Sequence, residues 1–134
     1  SHITVIYQDE APDNTLLAER LQQTVARTQP FHLIVGNATR FDEPIRGAYL
    51  TVTDPTDAVA GIRDQVLIPP FTKRGRFGLH ITLLHPNQGD RLDEAWPAFE
   101  QLSSIGAFTV THLQLVGPNN EVLAELSLAG TELR

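Results

Sequence analysis

The sequence predicts an α+β fold of two similar lobes, because one short motif occurs twice with matching surroundings. Residues 2–5 read His-Ile-Thr-Val and residues 80–83 read His-Ile-Thr-Leu, so the two histidines are 78 residues apart. Phe31 and Phe108, which open later strands in the two halves, are 77 residues apart. Each motif is followed by a helical pattern and then by two strand patterns. A repeated motif with repeated spacing indicates a duplicated fold.

Each copy of the motif has the pattern of a buried or half-buried strand. Both runs are apolar and rich in β-branched residues, which is typical of strands. Residues two positions apart in a strand point to the same face of the sheet. His2 therefore shares a face with Thr4, and His80 shares a face with Thr82. Each copy is predicted to present one titratable nitrogen and one hydroxyl to the same space.

The remaining elements follow from apolar periodicity and from turn residues. Asp13 or Asn14 is expected to cap the first helix, and Asp54-Pro55 provides a cap and a proline at the first helical position of the second. Pro69-Pro70 ends that helix, and Gly-Pro-Asn-Asn at 117–120 predicts a hairpin turn. Strands are predicted at 1–6, 31–35, 48–53, 79–84, about 107–116 and 121–128, helices at about 15–27, 55–68 and 92–104, and an irregular segment at 37–45.

These elements indicate a single domain, 1–134, with two lobes. The lobes cover about 1–54 and 79–130, and the helix at 55–68 bridges them. Antiparallel sheets with outer helices are expected. If the lobes face each other around a pseudo-twofold axis, both His/Thr pairs meet in one central groove.

Composition and charge exclude several classes of protein. The 134 residues are 41% hydrophobic and 19% charged, as in an ordinary globular chain. No apolar run approaches the roughly 20 residues that span a membrane, and no signal-peptide pattern occurs, so we expect no membrane association. The net charge of −6 argues against coating long nucleic acids, whereas a small anionic ligand fits a local basic spot. The absence of cysteine excludes a thiolate metal site and is compatible with the reducing cytosol. We expect a cytoplasmic monomer.

Paired His-x-Thr-apolar motifs on strands, one in each half of a duplicated α+β fold, resemble the 2H phosphoesterase superfamily. The similarity is to its 2′-5′ RNA ligase and cyclic phosphodiesterase-like proteins. It covers most of the chain, including the strand that begins at Pro30-Phe31 and the final hairpin. Proteins of this family normally carry a further strand and helix before the first motif, and we expect that these two elements are missing here.

Two histidines on opposite sides of one phosphorus suit the opening of a cyclic phosphodiester. Histidine, with an unperturbed pKa of about 6.5, acts near neutral pH either as a base that activates water or as an acid that protonates the departing alkoxide. Threonine hydroxyls can donate to the non-bridging oxygens. No metal or other cofactor is expected, because zinc needs at least three protein ligands and no suitably spaced carboxylate accompanies the histidines. The resemblance implies this chemistry at His2, Thr4, His80 and Thr82, on substrates ending in a 2′,3′-cyclic phosphate. Which histidine is the acid stays open.

A basic loop at 71–78 leads directly into the second motif. Three of the ten basic residues of the chain, Lys73, Arg74 and Arg76, lie within the four consecutive positions 73–76 of this loop. Its two glycines allow the loop to fold close over a ligand. We predict that these three side chains contact a phosphate or nucleotide. The alternative is a solvated loop without a function.

The histidines also have simpler interpretations, which stay open. Ser-His at the start of a chain is a common remnant of a cleaved affinity tag, and His80 can be a hydrogen-bonded histidine at a strand start. His85 is expected to be structural or turn-associated and to point away from the groove. His32 and His112 are predicted to be strand residues, and no function is assigned to His32.

The leading functional hypothesis is a hydrolase of RNA processing. It is a metal-independent phosphodiesterase acting on a 2′,3′-cyclic phosphate at an RNA end or in a small nucleotide. A second hypothesis is RNA 2′-5′ ligation in the same site. A third is a non-catalytic domain that binds nucleotides or RNA. A degenerate binder usually loses a motif residue, and all four are present, so the sequence favours an enzyme.

Overall fold

The fold is described for residues 2–102 and 106–130 of a computed structural model. Mixed helices and strands in these residues confirm the α+β class. No helix in them is long and apolar enough to cross a membrane. The helices are α1 (Asn14–Val25), α2 (Ala58–Val66) and α3 (Leu92–Glu100), and a 3₁₀ helix (Pro86–Arg91) precedes α3. The strands are β1 (Phe31–Phe41), β2 (Gly47–Thr53), β3 (His80–Leu84), β4 (Gly106–Val110), β5 (His112–Val116) and β6 (Val122–Ser127).

The strands of the described residues form two sheets. One has the strand order β3-β2-β1-β4, and β2 runs antiparallel to both β1 and β3. The other is the antiparallel hairpin β5-β6, which confirms the turn predicted at 117–120. The single strand predicted at about 107–116 is wrong, because its two halves pair in different sheets and separate at Thr111.

The chain separates into two compact units whose segments alternate along the sequence. These units are defined by contacts in space, whereas the two lobes are inferred from the repeat in the sequence. The lobe boundaries therefore stay a prediction. The first unit comprises 1–4, 33–53 and 78–108, and the second comprises 5–32, 54–77 and 109–134.

In the first unit, helix α3 packs on strand β2. Two arginines, Arg40 of β1 and Arg46 directly before β2, bind α3 at the surface: Asp93 Oδ1 accepts from Arg40 Nη2 at 2.9 Å and from Arg46 Nη2 at 2.8 Å. The Arg40 guanidinium also lies over the Trp96 ring, 5.4 Å from its centroid. Buried Ala48, Leu84 and Leu92 form the core of this contact, with Leu83, Trp96 and Phe99 packed against it.

In the second unit, helices α1 and α2 pack together and α1 also packs on β6. The Asp13 carboxylate accepts from the N–H of Leu16 at 3.1 Å, which confirms a cap at the predicted start of α1. The apolar periodicity of both helices corresponds to buried stripes, because i+3 and i+4 spacing places the members of a stripe on one helix face. These are Leu17, Leu21 and Val25 of α1 and Val59, Ile62 and Val66 of α2.

The strand predicted at 1–6 is wrong, since none of its described residues forms a strand; the first lies outside the described part. The carbonyl of Val5 accepts from the Arg63 guanidinium at 2.8 Å, and the N–H of Tyr7 donates to the Glu10 carboxylate at 3.0 Å. Side chains thus satisfy backbone groups that a strand would pair with a neighbouring strand. A shared face for the first His/Thr pair therefore does not follow from strand alternation.

The irregular segment predicted at 37–45 lies partly in β1, which continues to Phe41. Pairing with β2 shifts between Val35 and Ala38, so one extra residue is accommodated there. Gly36-Asn37 is therefore a bulge inside the strand and not its end.

The second helix begins later than predicted. It starts at Ala58 instead of Pro55, because Asp57 adopts a left-handed conformation with φ 54° and ψ 30°. Asp54 still contributes to the start of the helix, since its Oδ2 accepts from the N–H of Val59 at 2.7 Å.

The third helix lies within the predicted range and contains Pro97, as the sequence indicates. It ends at Glu100, and the last two residues of the prediction, 103 and 104, lie outside the described residues.

Candidate active site

Strand β3 carries the second motif in the first unit. His80 is half-buried and Thr82 is exposed. Because they are two positions apart on a strand, both side chains point to the same face. The prediction of a strand that carries this His/Thr pair is confirmed.

Strand β2 adds two residues to that face. Thr51 lies opposite His80 and Tyr49 lies opposite Thr82 in the antiparallel register. Opposed residues of an antiparallel pair stand on the same face. We call these four residues, Tyr49, Thr51, His80 and Thr82, the His80 face.

The imidazole of His80 is held from two directions. Its Nδ1 is 3.1 Å from the carbonyl oxygen of Gly78, and a carbonyl can only accept, so Nδ1 carries the proton. The Tyr49 ring meets the imidazole edge-on, with 5.8 Å between centroids and 75° between planes. In the neutral imidazole, Nε2 is therefore the nitrogen with the free lone pair, which is the one available for proton transfer.

The bulge in β1 makes room for the His80 face. A Cβ at Gly36 would clash with the Oγ1 of Thr51 and force that side chain to move. The Thr51 hydroxyl donates to the carbonyl of Asn37 at 3.5 Å. Glycine at this position thus lets the Thr51 side chain stand beside His80.

Sequence reasoning missed Tyr49 and Thr51 as members of the site. Tyr49-Leu50-Thr51 alternates polar and apolar residues, which signals a strand with one polar face. The sequence does not say which strand pairs with β3, and so it could not place that polar face beside His80.

His2 and Thr4 belong to the same compact unit as His80 and Thr82. His2 is exposed and Thr4 is half-buried, in a segment without regular secondary structure. The catalytic role of this first pair stays a prediction.

The three basic residues of the loop lie in the second unit, and two of them already have anionic partners. Lys73 pairs with Asp64. Arg74 pairs with Asp9 at 3.1 Å and lies over the ring of Tyr7, 3.7 Å from its centroid. These neighbours leave less positive charge for a ligand than the sequence indicates.

Arg76, in contrast, is exposed and has no ion-pair partner among the described residues. It therefore keeps its full charge for an anion. The predicted contact of the three basic residues with a ligand stays a prediction, and Arg76 is its best-placed member.

A buried ion pair between Glu10 and Arg63, which the sequence did not reveal, stands beside the basic loop. Burial alone would raise the pKa of Glu10, but hydrogen bonds from Arg63 and from the backbone of Arg74 and Tyr7 outweigh it and lower the pKa to about 2. Glu10 is therefore ionised at neutral pH and compensates the buried guanidinium.

The other histidines have structural contacts. His85 Nδ1 accepts from the N–H of Asn87 at 3.2 Å at the start of the 3₁₀ helix, which confirms its turn-associated role. His32 Nδ1 is 3.0 Å from the hydroxyl of Thr109, and His112 Nδ1 is 2.7 Å from that of Thr111. Both lie in strands, as predicted.

Across the described part of the chain, no group of three or more His, Cys, Asp or Glu side chains gathers where a metal ion could bind.

Comparison with known protein families shows the family to which the chain belongs. The family model described as the 2′-5′ RNA ligase superfamily matches residues 1–121, which include both motifs and the basic loop. The chain belongs to the 2′-5′ RNA ligase superfamily. This membership confirms the resemblance to 2H phosphoesterases and supports phosphoesterase or RNA ligase-like activity. A comparison with curated proteins finds no match.

Proposed function

We propose that this protein is a metal-independent phosphodiesterase that hydrolyses 2′,3′-cyclic phosphates at RNA ends or in small nucleotides. The observation that carries the proposal is the fixed imidazole of His80. Its Nδ1 donates to the Gly78 carbonyl, so Nε2 is available for proton transfer, and Thr82 shares its face. His2 and Thr4 repeat the same pair of groups in the same unit.

The reaction needs one proton removed and one supplied. One histidine takes a proton from water as the water oxygen attacks phosphorus. The other gives a proton to the ribose oxygen as its bond to phosphorus breaks, so that the products are a phosphomonoester and a free hydroxyl. Each transfer is a task for an imidazole near neutral pH. Either assignment of acid and base to His2 and His80 fits this scheme.

The hydroxyls of Thr4 and Thr82 serve as donors to the non-bridging oxygens. Negative charge grows on these oxygens during attack, and a donor already in position stabilises the transition state more than the ground state. The exposed guanidinium of Arg76 supplies a cation for a substrate phosphate.

RNA 2′-5′ ligation is the second candidate, since the matching family is described by that activity. In this reaction the 5′-hydroxyl of a second RNA end attacks the cyclic phosphate in place of water, and the bond from phosphorus to the 3′ oxygen breaks. One histidine takes the proton of the 5′-hydroxyl and the other supplies a proton to the 3′ oxygen. A non-catalytic nucleotide-binding or RNA-binding domain is a third possibility, which the presence of both complete His/Thr pairs disfavours.

The proposal is tested with a nucleoside 2′,3′-cyclic monophosphate in excess chelator. We expect the wild type to hydrolyse it and His80→Ala to lose on the order of 10²–10⁴ in rate. His85→Ala is the matched control, since it removes an imidazole from the turn after β3. Wild-type activity lost to the chelator would reject the mechanism. Ligand binding without hydrolysis would favour the non-catalytic domain, and joining of RNA ends without hydrolysis would favour the ligase.

A further inference from the structure

Glu10 and Arg63 form a buried ion pair in the second unit. Arg63 Nη1 donates to Glu10 Oε1 at 2.8 Å and Nη2 donates to Oε2 at 2.6 Å, with side chains 6% and 1% exposed. Moving two charges out of water costs free energy that their mutual attraction does not always repay. Stability alone is therefore a weak reason for such a pair, and its neighbours indicate another reason.

Glu10 fastens two irregular segments of backbone. Its carboxylate accepts from the N–H of Tyr7 at 3.0 Å and from the N–H of Arg74 at 2.8 Å. Its own carbonyl accepts from the N–H of Thr72 at 3.3 Å. One residue thus binds both the segment that follows the first motif and the loop that precedes the second.

Arg63, from helix α2, reaches the same two segments. Its Nη1 also donates to the carbonyl of Val5 at 2.8 Å, and its guanidinium lies over Phe77, 3.6 Å from the ring centroid. The rings of Tyr7 and Phe77 meet edge-on with centroids 6.2 Å apart. The ion pair therefore connects both segments to one helix.

The basic loop is also anchored at its start. The guanidinium of Arg20 in α1 lies over the ring of Phe71, the first residue of the loop, 4.9 Å from its centroid. It also donates to the carbonyls of Val66, Ile68 and Pro69, directly before the loop, at 3.0, 2.7 and 2.8 Å. The loop is therefore held at both ends, and the contacts nearest the second motif are those of Glu10 and Arg63.

Each segment continues directly into a motif. Val5 follows Thr4 in the chain, and Phe77 is three residues before His80. A shift at either contact is therefore transmitted through a short stretch of backbone to a motif side chain. Since a displacement of about 1 Å can cost a reaction about 10²-fold in rate, such shifts matter for catalysis.

We infer that Glu10 and Arg63 are positioning residues that hold both His/Thr motifs in place for reaction at the same time. The inference rests on the proposed function, because positioning the motifs matters only if His2 and His80 transfer protons. Neither residue of the pair is assigned a contact with substrate. Both act through the backbone segments that they bind.

The test replaces both charges with apolar side chains of similar size, Glu10→Leu with Arg63→Met, so that no buried charge is left without a partner. Leu21→Ala is the matched control, because it removes core volume from the same unit at a buried residue outside both segments. Thermal unfolding is measured for each protein. Below the transition, kcat and KM are measured for a nucleoside 2′,3′-cyclic monophosphate.

We expect kcat of the double variant to fall on the order of 10²-fold, with KM changed less than about threefold. The Leu21→Ala variant should unfold at a lower temperature but keep kcat within about twofold, because a cavity in the core does not displace the motifs. A wild-type kcat in the double variant would overturn the inference. If the double variant does not fold, Glu10→Gln, which preserves side-chain size, takes its place with the same expected and overturning results.

Histidine ring signals in NMR spectra distinguish this inference from the proposed function. Those of His2 and His80 should shift in the double variant, whereas those of His85 should stay in place. A wild type that hydrolyses nothing would reject the proposed function, and the ring signals alone would then decide the positioning role. Unchanged signals at both His2 and His80 would overturn that role whatever the activity.

Discussion

The ring of Tyr49 stands edge-on to the imidazole of His80, with 5.8 Å between centroids and 75° between planes. This geometry is a favourable arrangement of two aromatic rings. Together with the bond from Nδ1 to the Gly78 carbonyl, it fixes the direction in which Nε2 points. Strand β2 thus orients a side chain of β3.

Removing the Tyr49 ring should therefore slow the reaction. An aromatic pair contributes about 0.5–1.5 kcal/mol beyond its buried area, so we expect Tyr49→Ala to lower kcat by up to about tenfold. Tyr49→Phe keeps the ring and should stay close to the wild type. Steady-state kinetics of the two variants provide the comparison. Equal losses in both would mean that the hydroxyl matters and not the ring.

The Thr82 hydroxyl is expected to stabilise charge on the phosphate oxygens. Thr82→Val keeps the β-branched shape of the strand residue and deletes the donor, so kcat should fall on the order of 10²-fold. Thr15→Val is the control, since Thr15 is an exposed threonine of helix α1 in the second unit. Circular dichroism checks that both variants fold. A wild-type kcat for Thr82→Val would remove this donor from the mechanism.

The second motif could be predicted from the sequence because its signal is local. The apolar, β-branched run at 80–84 forms β3, and the turn residues at 117–120 form the β5-β6 hairpin. Helix α1 likewise follows from its i+4 stripe and its cap at Asp13. In these places, neighbouring residues alone decide the structure.

The first motif misled sequence reasoning because distant side chains decide its structure. Val5 and Tyr7 have the pattern of a strand and its end, but Arg63 and Glu10 bind their backbone groups. Glu10 and Arg63 are themselves 53 residues apart, and nothing in their local sequence signals a buried pair. Long-range polar contacts of this kind have no periodic pattern.

Acid should destabilise the folded protein through Glu10. Folding lowers the pKa of Glu10 from 4.5 to about 2. The stabilisation that the ionised carboxylate provides is therefore fully present above about pH 4.5 and is lost as the pH falls towards 2. This pKa shift corresponds to a contribution of Glu10 to the free energy of unfolding on the order of 3 kcal/mol. Denaturant unfolding at a series of pH values measures it, and Glu10→Gln should lack most of this dependence. The same acid dependence in that variant would assign the effect to other carboxyl groups.

The free cation of the basic loop is expected to contribute more to ligand binding than its paired neighbours. Arg76→Ala should weaken binding of a nucleoside 2′-monophosphate more than Lys73→Ala or Arg74→Ala does, because Lys73 and Arg74 already have carboxylate partners. High salt should reduce the difference, as for any screened charge. Arg27→Ala removes an exposed charge elsewhere in the same unit and controls for net charge. Titration calorimetry at low and high salt measures these affinities. If all variants bound the nucleotide as tightly as the wild type at low salt, the loop would be a solvated loop without a function.

The pH–rate profile tests the central claim, that two histidines share one proton-transfer reaction, most directly. The wild type should give a bell-shaped profile, because one imidazole must be neutral and the other protonated. His2→Ala and His80→Ala should each lose one limb of the bell, and the limb that is lost identifies the acid and the base. Their double variant should lose less rate than the product of the single losses, since both groups act on one transition state. A complete bell that persists in either single variant would contradict the claim.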